Sequence, residues 1–186
     1  EETTQHDVIA FLTAWADNTE PRSAAAYVHH GMTSSDLLDT ALAVQLTDAT
    51  DVLLAKADRL VAALRDHGLA HRETLKVGRT HGVHAEPVVW GHRVADLAFA
   101  AARSRDRLRA ARERVGVVAI SGAVGTYSLI DPSVEVAVAQ ALDLRPADAS
   151  TQVVLRDSIS EWVSALAVIA TVCEAVALEV RHGQRT

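Results

Sequence analysis

Apolar residues recur along this chain at helical rather than strand spacing. Leu38, Leu42, Leu46, Ala49, Leu53, Leu60 and Leu64 fall on one face of a 3.6-residue helix. Thr33, Ser34, Ser35 and Asp36 just before them are all good N-cap residues, and Gly68 is a plausible stop. The pattern predicts a helix of about 32–34 residues, about 50 Å long at 1.5 Å per residue. A second apolar series runs Leu155, Ile159, Trp162, Leu166, Ile169, Cys173, Val176 and Val180, stepping by four and three without a break. That is a heptad seam, and it predicts a last helix from about Ser150 to the chain end. Between the two lies an Ala-rich helix ending near Arg114, with Pro87 fitting its first turn. Shorter helices are predicted over His6–Asp17 and Val134–Leu142, with turns at Pro21, Pro132 and Pro146. Residues 116–128, GVVAISGAVGTYS, turn β-branched and glycine-rich, so a short hairpin-like excursion is expected there.

The fold class is therefore all-α, a bundle of long helices. Aromatics make up only 4% of the 186 residues while 49% are hydrophobic, so the core is built from Ala, Val and Leu. A single layer of such helices leaves apolar faces uncovered, and other chains or further sequence are expected to complete the bundle. The chain starts without Met and ends without a helix stop, which reads as part of a longer protein.

Net charge is −6, which argues against nucleic acid as a partner. The basic run Arg103 to Arg114 is interleaved with Asp106, Glu113 and alanines and reads as a solvated helix face. The single cysteine, Cys173, cannot form an internal disulfide. It fits a reducing, cytoplasmic setting and reads as a buried structural thiol. The chain opens with no signal peptide, and no apolar run is read as reaching the roughly 18 residues of a membrane span.

Three polar clusters interrupt the bundle pattern. They are Gln5-His6-Asp7, the stretch YVHHGMTSSD (Tyr27 to Asp36), and the decapeptide GRTHGVHAEP at 78–87. Thr33, Ser34 and Ser35 put hydroxyls and backbone N–H groups at a helix N-terminus, which attracts carboxylate or phosphate. An ordinary N-cap explains the same residues. In the decapeptide, Gly78 and Gly82 flank Arg79-Thr80-His81. A histidine there suits proton transfer near neutral pH, or else decorates a polar turn. His81 and His84, with His29 and His30, form only a weak ligand pattern, and no HExxH or CxxC accompanies them. SGAVGT (Ser121 to Thr126) lacks the Lys-Ser/Thr ending of a phosphate loop. Gln152 and Arg156 face a ligand or a solvated helix start.

Taken in order, QHDVIAFL, YVHHGMTSSDLLDTAL, GRTHGVHAEP, ISGAVGTYSLIDP and STQVVLRD resemble the adenylosuccinate lyases of the fumarase/aspartase superfamily, over nearly the whole chain. The HGVHAEP continuation points to that branch rather than to the argininosuccinate or fumarate enzymes. The resemblance implies a β-elimination that releases fumarate from adenylosuccinate, giving AMP, and from the succinylated aminoimidazole-carboxamide ribotide of purine synthesis. Under it His81 corresponds to the general acid and His6 to a second catalytic histidine, near the phosphate or the transferring proton. Gln5, Asp7, His29, Thr33, Ser34, Thr80 and Gln152 correspond to substrate contacts. His30 departs from the pattern, where an aromatic is expected. The resemblance implies no metal and no organic cofactor, a homotetramer whose sites are shared between subunits, and no nucleic-acid or membrane partner. It divides the chain into the end of an amino-terminal helical domain (1–30) and a central bundle domain (31–186). The family's base is a serine in a loop reading roughly SSxMPxKxNP, which these residues do not contain. The chain alone is therefore expected to be inactive. A related fumarate-releasing lyase, such as one for argininosuccinate, and a non-catalytic helical assembly module are the alternatives.

Overall fold

The computed structural model describes residues 1–185. Six helices dominate: α1 (Asp7–Asp17), α2 (Arg22–Ala25), α3 (Ser34–Ala70), α4 (Trp90–Val115), α5 (Pro132–Ala141) and α6 (Asp157–Gly183). Between α3 and α4 lie strands β1 (Leu75–Thr80) and β2 (Val83–Val89); β3 (Val117–Val118) and β4 (Arg145–Pro146) are two-residue strands paired in parallel. The all-α reading holds, and α3, at 37 residues, outruns its predicted stop at Gly68.

The chain divides into two compact units. One comprises Glu1–Thr47 and Val115–Arg156, the other Asp48–Arg114 and the segment from Asp157 onward, so α3 contributes to both. The core of the first unit joins Val118, Ile120 and Ala139, with Met32, Ile130, Val138 and Leu144 packed against them. The second unit is a helical layer. Leu64, Val94, Leu97, Ala101 and Val172 form one cluster; Leu108, Ala111 and Ala165, with Leu53, Leu54, Trp162 and Leu166, form another. Small residues at these contacts let the helices approach closely, as the aromatic-poor composition requires. Trp162 adds a polar tie, its indole N–H donating to Thr50 Oγ1 at 2.7 Å.

Several expectations are corrected. The hairpin lies at 75–89, over the decapeptide, and not at 116–128. The latter segment leaves the helix as expected, but as a buried run (Val117 to Ser121) ending in an irregular loop. An unbroken apolar run marks a strand buried on all sides rather than half of a hairpin. Pro87 sits inside β2 opposite Val77 and does not open a helix. Val88 and Val89 continue the strand, and α4 begins at Trp90. The last helix begins at Asp157 and not near Ser150, because residues 150–156 are tied to other partners as described below. Cys173 is exposed: the packed face of α6 passes through Ala165 and Val172, one residue out of phase with the thiol. Finally, α6 is long and apolar enough to cross a membrane by length and composition, with a mean hydropathy of 2.0 over 18 residues. Its buried Ala165 and Val172 and its partly buried Glu179, which pairs with two cations, are features of a bundle helix, whereas the predicted heptad seam holds only in part: Leu155 precedes the helix, and Cys173 and Val180 are exposed.

Candidate active site

Each unit carries part of the predicted set. In the first, the chain reaches α3 through a tight turn in which His29 and Gly31 both take positive φ. His29 Nε2 is buried and has no hydrogen-bond partner among the described residues. A buried, unpaired imidazole nitrogen is costly, and such groups in a folded protein call for a specific explanation.

Thr33 holds the N-cap position of α3, yet its hydroxyl does not cap the helix. The Asp36 carboxylate reaches back to the Thr33 N–H at 3.0 Å, as the acidic member of a capping box does. Thr33 Oγ1 instead accepts a long hydrogen bond from Gln152 Nε2 at 3.4 Å. Thr33, Ser34 and Gln152 are thus brought together at a helix N-terminus, with Thr33 and Ser34 half-buried and Gln152 exposed.

Asp36 does more. Its side chain is buried and also accepts the N–H groups of Gly122 at 3.0 Å and Ser121 at 3.4 Å. The preceding N–H, of Ile120, donates to the buried Glu135 of α5 at 2.7 Å. Three consecutive backbone donors of the glycine-rich loop are therefore taken by two carboxylates of the chain itself. Within SGAVGT, the N–H groups of Ser121 and Gly122 are thus turned onto Asp36 and that of Gly125 onto Gly122 O, so these three donors are not offered to a phosphate. Tyr127 donates its hydroxyl to Glu135 at 2.9 Å. Burial, then this contact with a carboxylate, pushes the phenol above its ordinary value.

Gln5, His6 and Asp7 are exposed and engaged locally. His6 is the N-cap of α1, its Nδ1 accepting from Ile9 N–H at 3.4 Å; Asp7 accepts from Val8 N–H, and Gln5 donates to Glu2 O. The cap uses only Nδ1, so it does not engage the second ring nitrogen, Nε2.

Thr80 and His81 belong to the second unit, at the tip of the β1–β2 hairpin. Thr80 pairs with Val83, leaving His81 and Gly82 as a two-residue loop with φ of 51° and 78°. Two successive positive φ values are what a type I′ turn requires, and glycine supplies the second without strain. His81 is exposed at this tip. At the base of the hairpin, Glu179 of α6 binds Lys76 Nζ and Arg93 Nε, both at 2.9 Å. Burial pushes the Glu179 carboxyl up, but hydrogen bonds from Lys76 and Arg93 outweigh it and hold the group below its ordinary range. Arg79, His92 and His182 join this triad around a cavity of about 480 Å³. Among the described residues no three His, Cys, Asp or Glu side chains come together to hold a metal.

The sequence pattern marks Asp36 only as an N-cap candidate, not as the acceptor of the Ser121 and Gly122 N–H groups, and gives no local signal for Asp39, Glu135 or Glu179.

Long helices carrying polar loops at their ends define a class. The Lyase family model matches residues 2–184, and the chain belongs to that family, within the fumarase/aspartase superfamily. It is 47% identical over 182 residues to an adenylosuccinate lyase of Synechocystis sp., and 41% identical over 187 residues to that of Bacillus subtilis. These alignments cover 98% and 100% of this chain, but 42% and 43% of those proteins. The fold matches a fumarate lyase from Mesorhizobium sp. BNC1 with a TM-score of 0.88 at 28% identity, covering 100% of this chain and 44% of that one. A 3-carboxy-cis,cis-muconate lactonizing enzyme from Pseudomonas putida matches with a TM-score of 0.81 at 33% identity, over 92% and 40%.

Proposed function

We propose that the protein carrying this chain is an adenylosuccinate lyase. It eliminates fumarate from adenylosuccinate, giving AMP, and from the succinylated aminoimidazole-carboxamide ribotide. The observation that carries this is the α3 N-terminus. Asp36 takes the Thr33 N–H, and the Thr33 hydroxyl, which accepts from Gln152 and caps no helix N–H among the described residues, is left with its proton for a carboxylate; four residues earlier in the chain the buried His29 Nε2 has no described partner. The names of the relatives support the same substrate.

The elimination has three requirements. A base removes the proton beside a carboxylate, donors hold the negative charge that develops there, and an acid protonates the departing nitrogen. In this reading Thr33, Ser34 and Gln152 are donors to the succinyl carboxylate, with Thr80 and His29 as further contacts. His81 is the acid. His6, Gln5 and Asp7 face the phosphate or the transferring proton. One proton leaves carbon and one reaches nitrogen, so the reaction balances without metal or organic cofactor. The base comes from a segment outside these residues. Residues 1–30 close an amino-terminal domain and the remainder is bundle. The exposed apolar residues of α6, Val163, Val168, Leu178 and Val180, fit burial in a cytoplasmic homotetramer with shared sites.

The test is fumarate release by the intact protein. His81→Ala is expected to lower kcat about 10²-fold or more, as for loss of a general acid. Near-wild-type turnover removes His81 from the chemistry, and cleavage of argininosuccinate in place of adenylosuccinate moves the chain to a sister branch.

A further inference from the structure

Gln152 sits in a segment, 150–156, that has neither helix nor strand. Its side chain has one described contact, the 3.4 Å hydrogen bond to Thr33. One long bond does not fix an exposed side chain, so its place depends on what holds the backbone on either side.

On the near side, Ser150 Oγ lies 2.8 Å from the hydroxyl of the buried Ser121. Gly125 packs so tightly on this point that a Cβ there would lie 2.2 Å from Ser150 O. On the far side the anchor is Asp39, in the second turn of α3. Its side chain is 9% exposed and accepts the Val154 N–H at 2.8 Å and Arg156 Nη2 at 2.8 Å. A carboxylate taking a backbone donor and a guanidinium is a charge-assisted pair of bonds, stronger than neutral ones. The helix that presents Thr33 thus reaches over with Asp39, six residues on, to hold the strap that presents Gln152.

We infer that Asp39 is a positioning residue for Gln152: it sets the separation of Gln152 from Thr33, and through it the fit of the carboxylate bound between them. This rests on the substrate reading above. Asp39 touches no reacting atom, so its removal acts on binding. In the intact protein, Asp39→Ala is expected to raise KM for adenylosuccinate roughly tenfold, the scale of one lost hydrogen bond, while kcat changes little. Asp39→Asn keeps an acceptor for Val154 N–H and gives a smaller rise; it also serves if the alanine variant does not fold.

Two readouts separate positioning from general damage. In a Gln152→Ala background, Asp39→Ala is expected to add less than about a twofold change, because residues that act through one another are not additive. Hydrogen exchange of residues 150–156 is expected to quicken in both Asp39 variants, with exchange in α5 unchanged. Undiminished KM effects in the Gln152→Ala background, or wild-type exchange at Val154, overturn the inference. If the wild-type protein releases no fumarate from adenylosuccinate, the substrate reading falls, and the exchange measurement alone decides whether Asp39 fixes the strap.

Discussion

Replacing Asp36 by alanine should reveal how much of the first unit hangs on one carboxylate. The side chain is 2% exposed and accepts three backbone N–H groups. Two of these, on Ser121 and Gly122, are themselves buried and would lose their acceptor. An orphaned buried donor costs about 1–3 kcal/mol, and the 3.4 Å bond belongs at the low end. Loss of the capping contact to Thr33, where water can substitute, adds about 0.5–1 kcal/mol. Together these come to about 4 kcal/mol, a large part of the 5–15 kcal/mol typical of a domain. At about 1.4 kcal/mol per decade, the protection of the Ser121 and Gly122 amides should fall by roughly three decades. Site-resolved hydrogen exchange on the intact protein measures this. Asp131→Ala is the control. Asp131 caps α5 with a 2.8 Å bond from Ser133 N–H but is exposed, so its removal should cost about 1 kcal/mol. If Asp36→Ala slows or speeds exchange at 121–122 by less than tenfold, or the two variants cost the same, the assignment of burial as the deciding factor is wrong.

The second unit offers two further tests. Glu179 has a lowered pKa, so its contribution is fully present above its ordinary value of 4.5 and is lost as pH falls through the lower folded value. Exchange protection of the hairpin should therefore decline in acid below about pH 4.5, and Glu179→Gln should be weaker at neutral pH and show less of that decline. A parallel acid response in the variant would refute the link. Leu108, with no exposed surface, should cost about 2–5 kcal/mol when cut to alanine, read as a lower urea midpoint with unchanged slope.

The long helices were legible because their patterns are local. The Thr33–Asp36 cap and the leucine spacing locate α3 to within a few residues at each end. The hairpin was not, although Val83, Ala85 and Pro87 alternate along β2. Histidines and glycines drew the decapeptide toward a loop reading, and Pro87 toward a helix start. The bulge that places Ala85 and Glu86 against Gly78 accommodates a proline that lacks a ladder donor. The candidate site divides the same way. Thr33, Ser34 and His81 announce themselves by side-chain chemistry within a few residues. Asp39 does not, because its partners Val154 and Arg156 lie 115 and 117 positions away, and nothing near Asp39 marks it as more than a polar helix residue.

The loop formed by His81 and Gly82 has a consequence for mutagenesis. A left-handed backbone at position 81 tolerates few side chains, and asparagine is the one that adopts it most readily. Alanine there removes the imidazole and burdens the bend at once, whereas asparagine removes the imidazole and leaves the bend at ease. Comparing the two substitutions separates what the ring contributes from what the shape of the bend contributes, at a single residue.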